Sequence, residues 1–191
     1  MTRAARKIPT FEELYAEIER LPQGVTGEIL RPGVLRTMGR PGRPHRYVAR
    51  HAQRALEGFD HNVGGTGWSI EVEAEVRLGE CLVVPDLSGW RVERVPEFPD
   101  DNPIGITPDW CCEVLSPSTA RSGRIEKLPL FAAARIPHVW LVDPALRAVE
   151  VYACADGRPT LVQTAVDDAT VALLPFDQQL SLGGWWLPAA P

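Results

Sequence analysis

Two short apolar runs, each closed by a carboxylate, place the strongest constraint on how this chain folds. Residues 81–86 read CLVVPD and residues 109–116 read DWCCEVLS, so Asp86 and Glu113 each end a run with the length and composition of a buried strand. Fourteen residues after Glu113 stands Lys127, one of only two lysines among the 20 basic residues. Its compact ammonium can be tuned in protonation, which a guanidinium cannot. The pattern predicts two neighbouring strands that bring two carboxylates to one ammonium.

Local residues suggest where these carboxylates lie and what they hold. Asp86 follows Pro85, which cannot donate to a strand ladder and so marks an edge or a strand end. Glu113 interrupts an apolar run, where an unpaired charge is expensive, so it needs a cation, an arginine or an exit to solvent. Two carboxylates and an ammonium can hold a hard divalent cation against a phosphate. Phosphodiester hydrolysis is the first hypothesis; the alternative for Lys127 is an ordinary exposed helix residue beside Glu126.

Composition predicts one domain with a sizeable core. The chain has 191 residues, of which 45% are hydrophobic. We divide it into an N-terminal helix, hairpin and helix (1–60), a core that carries the candidate site (67–154), and C-terminal strands with a tail (155–191). No stretch approaches the ~20 apolar residues of a membrane span, and the basic N-terminus has no apolar segment behind it. We therefore expect a cytoplasmic protein with no membrane partner.

The cysteines predict neither a zinc site nor a thiol nucleophile. None of the four stands at a metal-binding spacing, and the expected state is a buried free thiol in a reducing compartment. They are Cys81, Cys111, Cys112 and Cys154.

Charge is distributed unevenly along the chain. The net charge of −5 argues against a protein that coats DNA electrostatically. However, residues 1–54 contain 11 Lys/Arg and 5 Asp/Glu, whereas residues 55–191 contain 9 and 20. A basic N-terminal third suits a surface that grips phosphates beside a site that holds cations. Candidate nucleic-acid contacts are Arg40, Arg43 and Arg46; the alternative is the solvated side of a loop and a helix.

Hydrophobic periodicity predicts a mixed sheet flanked by helices, in an α/β or α+β fold. Thr10 caps a first helix through Leu21, with Glu13 at the capping-box position. Further helices are predicted over residues 44–59 and 122–134, the second delayed or kinked by Pro129. Residues 68–78 alternate as one half-buried strand that forms a hairpin with the Asp86 strand. The remaining predicted strands are 25–31, 34–38, 109–114, 136–144, 149–154, 161–164 and 171–174, and residues 91–108 form an irregular loop.

Longer strings carry a more specific signal than any single motif. VVPDLSGWR, PDWCCEVLSPST and EKLPLFAAARIPHVWLVDP, together with the upstream VTGEIL, strongly resemble the Uma-type "putative restriction endonuclease" family. That family belongs to the PD-(D/E)xK nuclease superfamily. The resemblance runs from about Thr10 to Tyr152 and is densest over residues 82–144.

The resemblance implies a restriction-endonuclease-like core that binds Mg²⁺, accepts Mn²⁺ in its place, cuts DNA and forms a homodimer. On this mapping Asp86 and Glu113 are metal ligands, with the backbone carbonyl of Val114 as a third. Glu28, in the family's N-terminal acidic position, is an outer ligand or orients a bound water. Lys127 orients or polarises the attacking water and stabilises the developing phosphorane charge.

One departure and three accessory residues complete the mapping. The superfamily places its lysine two residues after the acid, where this chain has Leu115, so the resemblance implies that the ammonium reaches in from the following helix. His45 matches a histidine at the start of the family's second helix. Glu75 is an accessory ligand or part of a solvated strand face. Asp109 shares a strand face with Glu113 and is a structural acid or a support for the site.

Two other functional classes stay open. One is a catalytically inactive descendant that binds nucleic acid or a protein through the same fold, and the other is a metal-dependent hydrolase of a different phosphodiester. The intact set of four site residues favours the nuclease, because a decayed site should have lost at least one of them. That set is Glu28, Asp86, Glu113 and Lys127.

Overall fold

The computed structural model describes residues 7–188, which form helices packed on two main sheets. The α-helices are α1 (Phe11–Ile18), α2 (Arg43–Ala55), α3 (Ala120–Ser122) and α4 (Leu128–Ala133). The strands are β1 (Thr26–Arg31), β2 (Val34–Met38), β3 (Trp68–Val72), β4 (Val76–Leu78), β5 (Cys81–Val83), β6 (Leu87–Arg91), β7 (Trp110–Val114), β8 (His138–Asp143), β9 (Ala148–Ala155), β10 (Arg158–Val166), β11 (Thr170–Ala172) and β12 (Gln179–Ser181). No helix in this range is both long and apolar enough to cross a bilayer.

The larger sheet is mixed and has its core on both faces. Its strand order is β10-β9-β8-β7-β6-β3, with β7 and β8 parallel and the other neighbours antiparallel. Alternate side chains of β7 point to opposite faces, so Trp110 and Cys112 join one hydrophobic cluster while Cys111 joins the other. The predicted mixed α/β fold is confirmed.

Aromatic packing fixes the C-terminal segment on one face of this sheet. The ring of Phe176 lies 4.8–5.4 Å from four other rings, in tilted or edge-on geometries that aromatic pairs prefer. These partners are Phe59, Trp68, Trp110 and Trp140. Strand β11 lies where the sequence predicted a strand, whereas its antiparallel partner β12 was not predicted.

The smaller sheet has the order β2-β1-β5-β4 and carries α1 on its face. Thr10 caps α1 through the predicted capping box: its side chain accepts from the Glu13 N–H, and the Glu13 carboxylate accepts from the Thr10 N–H. Phe11, Leu14 and Ile18 pack against the strands below. This helix therefore stabilises the sheet on which β1 lies.

The prediction of one strand over residues 68–78 is wrong. The chain breaks at Glu73, whose φ of 51° lies in the left-handed region, and β3 and β4 enter different sheets. Ser69 is buried and Val72 is exposed, opposite to the predicted alternation. The predicted hairpin exists between β4 and β5 only, while β3 pairs with β6. Local alternation could not reveal this crossing between sheets.

Residues 120–133 form one helical segment with an irregular middle. A π-helical turn, Gly123–Lys127, separates α3 from α4. Pro129 lies in the first turn of α4, where its missing N–H costs least, and the wider turn before it accommodates the ring. The predicted disturbance at Pro129 is confirmed, and π-helical turns are frequent at functional sites.

Strand β6 should tolerate no added side chain at Gly89. A Cβ built there would lie 3.1 Å from ring atoms of both Trp110 and Trp68. Overpacking costs about 1–3 kcal/mol, so we expect Gly89→Val to lower the free energy of unfolding in urea by that amount. Gly105→Ala is the matched control because nothing lies within 4 Å of its added Cβ. Equal stability of the two variants would show that the tryptophan packing is looser than described.

Candidate active site

A cavity of about 550 Å³ opens where the two sheets meet. It collects residues from distant parts of the chain: β1, the first turn of α2, the β5–β6 connection, β7 and the π-helical turn. The sequence-predicted residues that line it are Glu28, Arg40, His45, Asp86, Glu113, Val114 and Lys127. The four residues proposed for catalysis thus converge in space.

Lys127 is buried at the centre of the site. Its Nζ lies 2.8 Å from Glu28 Oε1 and 2.6 Å from Glu113 Oε1. Burial by itself would lower the pKa of Lys127, but the two carboxylates outweigh it and hold that pKa above its ordinary value. The ammonium therefore stays charged and joins one residue of each main sheet.

The surroundings of Glu113 shift the pKa of its carboxyl group strongly. The pKa of Glu113 is raised to about 8: burial is the largest cause, the ammonium of Lys127 opposes the rise, and the carboxylates of Asp86 and Glu28 contribute to it. Glu28 has a second oxygen, Oε2, that is buried and makes no hydrogen bond to the described residues. Glu28 and Glu113 share the ammonium of Lys127, and Asp86 adds a third carboxylate, so acidic groups outnumber the ammonium in the cavity.

The connection Val84–Pro85–Asp86 passes from one sheet to the other and bonds to both. The Val84 N–H donates to Glu28 Oε1 at 2.9 Å, and the Val114 N–H donates to Asp86 Oδ2 at 2.7 Å. The Val114 N–H is free to do so because the β6–β7 pairing ends at Leu87 and Cys112. Asp86 stands at a strand boundary after a proline, as predicted.

His45 orients Asp86 from the first turn of α2. Its Nε2 lies 3.1 Å from Asp86 Oδ1, and both side chains are nearly buried. The other ring nitrogen, Nδ1, is buried and has no partner among the described residues. Both oxygens of Asp86 are therefore positioned, one by α2 and the other by β7.

Two acids for which the sequence left an accessory role open, Glu75 and Asp109, lie outside this cavity. Glu75 accepts from the Tyr15 hydroxyl at 2.7 Å and from the Asn102 amide at 3.0 Å. Asp109 accepts from the Arg91 N–H at 2.8 Å and from the Arg94 guanidinium at 2.9 Å. Each carboxylate holds neighbouring segments together, and neither lines the cavity. The structural alternative for Asp109 is therefore the better description.

Two of the three arginines predicted to contact nucleic acid line cavities, and the third does not. Arg40 lines the large cavity, and Arg46 lines a smaller one of about 180 Å³ that adjoins it. Arg43 is exposed on α2 and lines neither.

Sequence reasoning missed several residues of the cavity wall. Glu73, at the break between β3 and β4, lines both cavities. Arg36 lines the large cavity and donates to the hydroxyl of Ser122 and to Glu126. The loop after β7 adds three hydroxyl groups to the wall of the large cavity. They belong to Ser116, Ser118 and Thr119.

Mg²⁺ fits this donor set by charge and by ligand type. No three His, Cys, Asp or Glu side chains of residues 7–188 are grouped so as to hold a metal ion. Mg²⁺, however, commonly takes one or two carboxylates and keeps several waters. Asp86 and Glu113 would supply these carboxylates, and the Glu28 Oε2 that makes no hydrogen bond adds buried negative charge in the same cavity. Waters would have to complete the coordination of such a sparse site.

Comparison with known proteins identifies the family. The sequence model of Uma2, described as "Putative restriction endonuclease", matches residues 10–188. The chain belongs to the Uma2 family. This match confirms the resemblance seen in the sequence and extends it from Tyr152 to residue 188, over the C-terminal strands. No curated protein matches the chain significantly.

A solved structure supports the fold independently. A crystal structure titled as a putative nuclease belonging to DUF820, from Anabaena variabilis ATCC 29413, superposes with a TM-score of 0.72. The two chains are 22% identical, and the match covers 94% of this chain and 99% of the other. The Uma2 chain and that protein therefore share their architecture over nearly their whole lengths.

Removing the ammonium should destabilise the fold in a pH-dependent way. Lys127→Met leaves two buried carboxylates without a cation, which costs about 3–5 kcal/mol when both are ionised. The pKa of Glu113 then rises further above its wild-type value of about 8, so the variant keeps Glu113 protonated at pH values where the wild type ionises it beside the ammonium. Below about pH 7 both folded proteins hold this proton, so we expect the deficit in unfolding free energy to grow only as pH rises from about 7 to about 9.

The control for this prediction removes the second charge as well. Lys127→Met/Glu113→Gln should recover most of the lost stability at about pH 9, as measured by urea unfolding. A deficit of equal size at both pH values would contradict the ionic role of Lys127.

Proposed function

We propose that the protein is a Mg²⁺-dependent endonuclease that hydrolyses phosphodiester bonds in DNA. The observation that carries this proposal is the buried ammonium of Lys127 between Glu28 and Glu113, beside a positioned Asp86. Membership of the Uma2 family supports nuclease activity. We further propose that it works in the cytoplasm as a homodimer, since cutting both strands of a duplex favours two sites.

Asp86, Glu113 and the main-chain carbonyl of Val114 would hold the metal. In an extended strand the N–H and C=O of one residue point to the same side, so the Val114 carbonyl faces the side on which its N–H meets Asp86. A Mg²⁺ ion held by these residues, or Mn²⁺ in its place, would supply Lewis-acid chemistry to a water and to the phosphate. His45 holds Asp86 in the required orientation.

Lys127 supplies a fixed positive charge for the transition state. Its ammonium has three donors and lies against Glu28 and Glu113, so it can direct one N–H towards a phosphate oxygen or an attacking water. A preorganised charge in a buried site is worth far more than in water. Glu28 anchors the ammonium, because its Oε1 also accepts from the Val84 N–H and is itself held in place. This set corresponds to a PD-(D/E)xK site whose lysine comes from the following helix.

A catalytically inactive nucleic-acid-binding member of the fold is the second candidate. The observation that favours it is that Lys127 pairs with the carboxylates while no three acidic, histidine or cysteine side chains of residues 7–188 are grouped around a metal position. An inactive member would bind DNA without cutting it at any divalent concentration.

Nicking of supercoiled plasmid distinguishes the two candidates. Wild-type protein should convert plasmid to the nicked form with Mg²⁺ or Mn²⁺ and stop when EDTA is added. Asp86→Asn removes a ligand charge without changing side-chain shape, and we expect the rate to fall at least about 100-fold, corresponding to several kcal/mol of transition-state stabilisation.

Asp109→Asn is the matched control for that experiment. It removes a carboxylate next to the same strand but outside the cavity, so cleavage should stay within about threefold of wild type, because no transition-state contact is lost. Thermal unfolding of both variants checks that they fold. Cleavage that persists in EDTA, or in Asp86→Asn at the wild-type rate, would refute the assigned site.

A further inference from the structure

A row of arginines on α2 is the most strongly charged feature outside the active site. Between Glu28 and Glu57 the chain holds seven arginines and no acidic residue, although its net charge is −5. Four of these arginines lie on α2, and we call them the arginine stripe. They are Arg43, Arg46, Arg50 and Arg54.

Helical geometry places the stripe on one exposed face. Successive spacings of three, four and four residues return to nearly the same angular position on a helix, and all four side chains are exposed. The opposite face buries Val48 and Ala52 in the core. At 1.5 Å per residue the stripe extends about 16 Å along the helix axis.

These four charges are not neutralised by the described protein. Within residues 7–188, five other arginines form ion pairs with carboxylates, but none on α2 has a carboxylate oxygen within 4.0 Å. Arg46 donates to the main-chain carbonyl of Pro41, and the Arg50 guanidinium lies 5.8 Å from the ring centre of Tyr47. Neither contact cancels a full positive charge. A row of unpaired guanidinium groups is suited to a polyanion.

The stripe continues directly from the active site. The cavity of about 180 Å³ beside α2 is lined by Arg46 and Arg50, and it shares His45 and Asp86 with the larger cavity. The same helix therefore orients Asp86 through its first turn and presents arginines over its next turns. A chain of phosphates that leaves the site on this side meets the stripe next.

We infer that the exposed face of α2 binds the DNA backbone on one side of the cleavage position. The inference rests on the proposed nuclease function and adds where the substrate lies. With one phosphate per 3.4 Å of axis on each strand of B-DNA, the stripe matches about five phosphates of one strand. Arg50 and Arg54 hold phosphates outside the catalytic cavity, so their contribution is to affinity.

DNA fits this face better than an anionic membrane does. A helix that lies on a membrane needs an apolar face free to enter the lipid. Val48 and Ala52 of α2 are fully buried against the sheet, and Ala49 and Ala55 pack against the same core. The exposed face presents the four arginines and no large apolar side chain, which matches a phosphate backbone.

Equilibrium binding without metal tests the surface separately from cleavage. The anisotropy of a fluorescein-labelled duplex of about 20 bp would be measured in EDTA over about 50–200 mM salt, a range in which phosphate contacts strongly change the affinity. For Arg50→Ala/Arg54→Ala we expect binding at least about tenfold weaker, and a slope of log K against log salt smaller by about 2.

A control variant that loses the same two charges elsewhere on the protein separates the effect of the α2 position from the effect of net charge. Arg20 and Arg158 are exposed, lie outside α2, and pair with no carboxylate among the described residues. Arg20→Ala/Arg158→Ala should bind as wild type does. Glu73, which lines the groove beside Arg46 and Arg50, offers a test of opposite sign: Glu73→Gln should tighten binding by removing a repulsive charge.

The outcomes separate the binding surface from the nuclease. Three results would contradict the proposed DNA-binding surface. The first is an equal loss of DNA affinity in the α2 pair and in the control pair, and the second is unchanged binding in Arg50→Ala/Arg54→Ala. The third is α2-dependent binding to phosphatidylserine vesicles in preference to DNA. Wild-type protein that binds duplex through the stripe but does not cut it with Mg²⁺ or Mn²⁺ would overturn the nuclease and keep the surface. Wild-type affinity and cleavage in the stripe variant would keep the nuclease and overturn the surface.

Discussion

The ammonium of Lys127 between two buried carboxylates is the interaction on which the site depends. It joins β1 of the smaller sheet, through Glu28, to β7 of the larger sheet, through Glu113. Breaking a buried ion pair by removing one partner is strongly destabilising, because the remaining charge has no water around it. The same three charged side chains that would orient a phosphate therefore also hold the two sheets together.

The connection from Val84 to Asp86 makes the second link between the sheets. Its first residue donates to Glu28, and its last accepts from Val114, so the chain is held on both sides as it crosses. Pro85 fits between them because it has no N–H to satisfy. Acidic groups are thereby concentrated in the cavity, while the basic groups of α2 lie on the adjoining surface. This arrangement can attract a cation to the cavity and a polyanion to α2, because the α2 arginines pair with no carboxylate of residues 7–188.

Local chemistry made part of this predictable from the sequence. Asp86 after a proline, Glu113 inside an apolar run and the rare Lys127 are each anomalous where they stand, and such anomalies mark sites where function overrides packing. The capping box at Thr10 and the irregular helix before Pro129 were also predictable, because each depends on residues within about one helical turn. The family resemblance added Glu28, which a local pattern could not have selected.

Features that depend on crossing between sheets were not predictable. Residues 68–78 alternate as a single strand would, yet the left-handed Glu73 sends the two halves into different sheets. The same break brings Glu73 to the cavity and leaves Glu75 bonded to Tyr15. Periodicity shows which side chains share a face, but long-range pairing decides which face meets the cavity. The metal ligands, the roles of the site residues and homodimerisation stay predictions.

A crystal structure of the protein soaked in Mn²⁺ tests the central claim most directly, because manganese scatters anomalously and takes the oxygen ligands of magnesium. The account predicts an anomalous peak within bonding distance of both Asp86 and Glu113, with Lys127 still in contact with Glu28. A peak elsewhere, or an empty cavity with Lys127 still bridging both glutamates at saturating Mn²⁺, would contradict it.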